Sequence, residues 1–180
     1  MTKVVRKLVK EKSVEGKCKI TIKKFKGSFK NEAEALKAGI KPYEIDEEIF
    51  PWEIEDIFLN QGINAIWTLV CGGSETAFNN ANAHICVGDG TLAEDATQSG
   101  PQGTNYTYLS MDSGYPQFGS DQKAVFKATA DGDTANHGWQ EFLVANGGNT
   151  TAKHINRKVS DKGTKPNGET WVIQIELSLS

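Results

Sequence analysis

The last twelve residues, ETWVIQIELSLS (169–180), put Trp171, Ile173, Ile175, Leu177 and Leu179 at every second position. On a helix those five side chains would scatter around the circumference, whereas an extended chain turns them all to one side. The stretch predicts a strand with one buried face, carried by Trp171, Ile173, Ile175 and Leu177. A single strand cannot bury a face alone, so the rest of the chain must supply others. Candidates with the same two-residue period are GKCKITIKKF (Cys18, Ile20 and Ile22 against lysines), AHICVG (Ala83, Ile85 and Val87 against His84 and Cys86), NYTYLSM, KAVFKATA and GWQEFLVANG. Joined by Gly, Asn and Asp turns, they predict a mainly β fold with a helical minority: a β-sandwich or small barrel with a basic N-terminal arm and one to three short helices.

Three segments have helical signals. Asn31 with Glu34 three residues on, and Gly39 behind, bracket a short helix in NEAEALKAG. Pro51 suits the first turn of a helix in PWEIEDIF. In NQGINAIWTLVCGG, Asn60 is a capping candidate, Ile63, Ile66, Trp67 and Val70 form a stripe that reads as core, and Gly72-Gly73 ends the run. The stretch NNANAHICVGDG, residues 79–90, reads as a turn, a strand over 83–87 and a second turn. It has neither the lysine nor the glycine spacing of a phosphate loop.

The formal net charge of -3 conceals a segregation. Residues 1–30 carry eleven Lys and Arg against two Glu, and residues 31–60 carry nine Asp and Glu against two Lys. These halves attract one another or attract neighbouring copies. Chain organisation follows the same boundaries: a basic arm and edge strand over 1–30, an acidic helical segment over 31–73, and a β-rich region over 74–180 that forms one compact unit with 31–73. Lysines on the strand near residue 20 suit a sheet edge. Within the arm, Lys3, Arg6, Lys7 and Lys10 are the candidate partner-docking residues, beside a weak helical spacing of Val4, Val5, Leu8 and Val9. Nucleic acid is the poorer reading of this segment, which has one arginine and no interleaved stacking aromatics.

Candidate chemistry is sparse. Asp131, Asp133 and His137 lie close together in DGDTANHGW, but they lack the ligand alternation of a calcium loop and read as a hairpin turn. A zinc site from His84, His137 and His154 would require three separate strands to converge. Glu94 with Asp95, or Asp112 with Asp89, could be paired as acid and base, yet nothing fixes their separation. The expectation is no enzyme, no metal and no cofactor. Cys18, Cys71 and Cys86 read as small buried residues or free thiols, with a Cys71–Cys86 bond as the alternative in an oxidising medium. Sequons at Asn105 and Asn149 carry no weight without a secretory leader. The first ten residues, MTKVVRKLVK, lack the apolar stretch of such a leader, and no run has the roughly 18 apolar residues of a membrane span. Assembly in a cytoplasm, with no membrane partner, is expected.

Five phrases in order, GINAIWTLVCGG, AFNNANAHICVGDGT, ATQSGPQGTNYTYLSMDSGYPQ, AVFKATADGDTANHGWQEFLVANG and INRKVSDKGTKPNGETWVIQIELSLS, resemble a family of small virion structural proteins of tailed bacteriophages. The resemblance covers roughly residues 59–180; residues 1–58 match more weakly, and the acidic stretch within them has no counterpart. It implies a non-enzymatic virion component: a decoration or cement protein on the capsid exterior, homo-oligomeric, partnered by the major capsid protein and by copies of itself, with the basic arm bracing capsomer seams. Two alternatives are a tail component, tube-associated or at a fibre base, and a carbohydrate-binding module with Tyr106, Tyr108, Tyr115 and Trp139 as its stacking platform.

Overall fold

The structure is a computed structural model that describes residues 16–52 and 58–179. In chain order these residues form β1 (Gly16–Lys26), α1 (Glu32–Lys37), β2 (Glu44–Trp52), α2 (Asn60–Val70), β3 (His84–Gly88), β4 (Tyr106–Ser110), β5 (Gln117–Phe118), β6 (Lys123–Ala130), β7 (Glu141–Ala145), β8 (His154–Val159) and β9 (Glu169–Leu179). One sheet has the order β2-β1-β9-β6-β5 and the other β4-β3-β7-β8. The fold is mainly β, two sheets with a helical minority, in the manner of a β-sandwich.

Strand β9 is the middle of the larger sheet, paired antiparallel with β1 on one side and β6 on the other. Its alternation explains the placement: Trp171, Ile173, Ile175 and Leu177 all enter the main core. There they join Ile20 and Ile22 of β1 and Phe126 of β6, together with Ile85, Val87, Phe142 and Val144 of the smaller sheet. The Trp139 ring lies edge-on to Trp171 at 5.1 Å between centroids, a favourable geometry for two aromatic quadrupoles. Leu179 continues the period but is 46% exposed, because the sandwich ends there.

Strand β1 is interior, which corrects the edge-strand expectation. The edge is β2, drawn from the acidic segment, so 31–73 is only partly helical. Ile45, Glu47 and Ile49 alternate with Asp46, Glu48 and Phe50 along it, and Pro51 lies at its end, paired in register with Lys17, not in a helical first turn. An edge strand tolerates proline because one side of its backbone needs no ladder partner. Charge explains the pairing. Lys19 meets Glu47 at 2.9 Å and Lys24 meets Glu44 at 2.7 Å, while Asp46 and Glu48 both contact Lys162, at 2.9 and 2.7 Å. The segregated charges therefore meet within one chain. Burial pushes the Glu48 carboxyl up, but hydrogen bonds from Lys162 and Ser160 outweigh it and hold the pKa low.

Helix α1 starts as expected: Asn31 Oδ1 accepts from the Glu34 N–H at 2.9 Å, and Gly39 follows with φ +77°. It packs Ala35 on Phe25 and Val172, on the outer face of the larger sheet. Helix α2 also forms, but Asn60 is its first helical residue and the cap position belongs to Leu59, which makes no side-chain cap. Tertiary bonds replace that cap: Leu59 N–H donates to Ile155 O and Asn60 N–H to Ala96 O, at 2.9 and 2.8 Å. These bonds satisfy donors that a helix start leaves open. The helix lies so close to β8 that a β-carbon on Gly62 would be 2.4 Å from Ile155 Cα. Of its stripe, Ile63 and Ile66 pack on the core, whereas Trp67 is 61% and Val70 69% exposed. The core expectation fails for those two because nothing among the described residues covers the outer half of the helix face.

Candidate functional site

The sequence-derived candidates fall into separate places. Lys3, Arg6, Lys7 and Lys10 lie outside the described residues. Asp89 leaves β3 in the turn anticipated after residue 88, where Oδ1 accepts from the N–H groups of Thr104 and Asn105 and Oδ2 from the Asn105 amide. Glu94 accepts from Val159 N–H and pairs with Lys158, and Asp95 accepts from both N–H and Oγ1 of Thr97. Asp112 accepts from Thr129 Oγ1 at 3.0 Å. Asp131 closes the hairpin turn, accepting from Asp133 N–H and Thr134 Oγ1. Each carboxylate thus orders its own loop.

The three histidines are not brought together, and among the described residues no three His, Cys, Asp or Glu are grouped to hold a metal ion. His84 Nδ1 is 2.8 Å from Asn82 O, and His137 lies between Gly138 O and Thr107 Oγ1. Of the aromatic platform, Tyr106 and Tyr108 lie edge to face at 6.0 Å between centroids, whereas Trp139 is fully buried, its indole N–H donating to Ala135 O, so it cannot stack on a sugar. All three cysteines are free thiols. Burial pushes Cys18 up to about 12 and raises Cys86 as well, while Cys71 is exposed just beyond α2. A bond between Cys71 and the fully buried Cys86 would require β3 to open.

Two buried polar groups carried no sequence signal of partnership. Glu141, at the start of β7, and Arg157, on the neighbouring β8, both have fully buried side chains. Their Oε2–Nε distance is 2.7 Å. Glu141 also accepts from the N–H groups of Gln102 and Gly103, and Arg157 Nη1 donates to Leu92 O and Gln98 Oε1. One ion pair therefore pins the whole 89–105 loop onto the smaller sheet. Isolated burial of either charge would be prohibitive, and this pairing is what makes it tolerable.

His154, one strand-face away on β8, is also fully buried. The Tyr108 hydroxyl stands 2.9 Å from Nε2 and the Gln61 amide 3.4 Å from Nδ1. Burial lowers its pKa to about 4 and keeps the ring neutral. With a folded value near 4 and an unfolded value near 6.5, the unfolded chain binds the extra proton between them. Stability attributable to this ring is therefore complete above pH 6.5, falls as the pH drops, and is lost by about pH 4, a change of roughly 3 kcal/mol. Urea titrations at pH 7.5 and 5 should differ by about 2 kcal/mol from this ring, and His154→Gln should flatten the difference. An unchanged slope in that variant would refute the assignment.

One end of the molecule carries an open apolar groove. Phe58, Ile66, Phe126, Ile155, Leu177 and Leu179, with the loop 119–123, line an open cavity of about 550 Å³ between α2 and the ends of β6 and β9. Ile63 and Trp67 extend it along the helix. Scattered exposed apolar residues are ordinary, but a contiguous patch marks an interaction surface. The alternation of 169–179 and the helical stripe of 63–70 each announce half of this groove. Only the sheet topology joins them.

Comparison with protein-family models, with curated proteins and with solved structures finds no match for this chain.

Proposed function

We propose that this chain is a virion structural protein of a tailed bacteriophage, a decoration or cement protein that binds the capsid exterior and stabilises it. Its partners are the major capsid protein and neighbouring copies of itself, and it performs no reaction. The observation that carries the reading is the apolar groove at one end of the sandwich, whose rim includes exposed Trp67 and Leu179. Surface of that kind suits attachment to another protein. Two features support it further. The carboxylates that sequence put forward as catalysts are occupied in ordering loops, and five phrases over residues 59–180 resemble phage virion components.

Quantitative mass spectrometry of purified particles tests the reading. A decoration protein is present in copies that scale with the major capsid protein. A copy number of a few per particle would move the chain to the tail, and its absence from washed particles would end the virion reading.

A further inference from the structure

Lys24, Lys162 and Lys165 are the buried lysines among the described residues. The first two end on carboxylates, Lys24 on Glu44 and Lys162 on Asp46 and Glu48. Lys165 is only 1% exposed, and its Nζ instead donates to the side-chain carbonyl of Asn136, 2.6 Å away. Burial pushes the Lys165 pKa down, by more than the charges of Asp131, Glu169 and Asp133 push it up. A buried amine without a paired carboxylate sheds its proton readily, and the neutral amine is a nucleophile.

The group facing that amine is an electrophile held in place. The Asn136 side-chain nitrogen donates to Gly132 O at 3.1 Å, and the backbone N–H of Lys165 donates to His137 O at 3.0 Å. Gly138 and Thr164 bridge the same two loops. Since a carbonyl bond is about 1.23 Å long, Asn136 Cγ lies at most about 3.8 Å from Nζ. Reacting atoms roughly 3–3.5 Å apart are poised for attack, so a small side-chain rotation suffices. Asn136 is itself exposed, which gives a leaving group a path to solvent.

We propose that Lys165 and Asn136 join in an intramolecular isopeptide bond. The neutral Nζ attacks Cγ, the bond from Cγ to Nδ2 breaks, and the proton given up by Nζ passes to the departing nitrogen, which leaves as ammonia. No oxidant, reductant or second substrate is consumed. The bond forms once per chain and turns over no substrate. It ties the connection between β6 and β7 to the connection between β8 and β9, closing a covalent loop around β7 and β8. Both connections lie before the start of β9, whereas the groove lies at that strand's end, so the groove stays open. A crosslink of this kind stabilises a fold by restricting the unfolded chain. This inference stands whether or not the virion reading does.

Mass spectrometry of the folded full chain tests it. The intact mass should fall below the sequence mass by one ammonia. Trypsin should release residues 128–153 and 163–180 as one joined species, with fragment ions placing the link between Asn136 and Lys165. Lys165→Arg and Asn136→Ala should each restore the full mass and separate the two peptides. Asn136→Asp should still join them, now with loss of water, because a carboxyl replaces the carboxamide as the group attacked. A parent chain of full mass with separate peptides would overturn the proposal. So would loss of ammonia with the two peptides separate, which would assign the loss to ring closure at an Asn-Gly pair such as Asn146-Gly147 or Asn167-Gly168.

Discussion

Arg157→Ala is expected to cost about 3–5 kcal/mol of stability, read by urea denaturation at pH 7.5, because it leaves Glu141 charged and buried without its cation. The loss is not the worth of the pair itself. Arg157 Nη2 is buried with no hydrogen-bond partner among the described residues, so the guanidinium is incompletely satisfied even in the native fold. A double variant, Arg157→Met with Glu141→Gln, should therefore recover a substantial part of the single variant's deficit, since neither remaining group bears a charge. The 89–105 loop should loosen in both, visible as faster amide exchange at Gln102 and Gly103. If Arg157→Ala lies within 1 kcal/mol of the parent, the pair does not organise the loop.

Trp171→Ala should also cost about 3–5 kcal/mol. The ring is 2% exposed and contacts Trp139, and Lys24 Nζ lies 4.4 Å from its centroid. Removing it opens a cavity where the two sheets meet, which close-packed neighbours refill only in part. Truncating Leu179, at the exposed end of the same strand, should cost far less. Equal effects at the two positions would mean that β9 does not turn Trp171 with Ile173, Ile175 and Leu177 into the core between the sheets.

These two residues mark the limits of what sequence makes legible. Trp171 belongs to an unbroken two-residue period, and β1, β4, β6 and β9 are readable because burial of one face demands alternation, whereas β3 and β7, buried on both faces, are readable as short apolar runs between turn residues. Strand β8 is not. It reads HINRKV, and burying His154, Asn156 and Arg157 hides the period behind residues that sequence treats as surface. Each is tolerated only through a partner far along the chain: Tyr108 for His154, the Val144 N–H for Asn156, Glu141 for Arg157. Strand β2 escapes for a different reason. Its acids and Pro51 argue against a strand until the lysines of β1 are beside them. The charge segregation itself was visible, and one of its two readings, mutual attraction within the chain, is the one the sheet uses.

The groove was half visible. Ile63, Ile66, Trp67 and Val70 read as a helical stripe, but a stripe does not say which of its members will find cover. Here β8 and the end of β9 cover Ile63 and Ile66 and stop short of Trp67 and Val70. The incomplete cover is the feature on which the functional proposal rests.

Cryo-electron microscopy of intact particles, with this chain traced into the density, tests that proposal most directly. The account predicts the sandwich as a repeating layer on the outside of the shell, its Trp67 end turned toward the major capsid protein. Density for the chain confined to the tail, or no density on the particle at all, would contradict it.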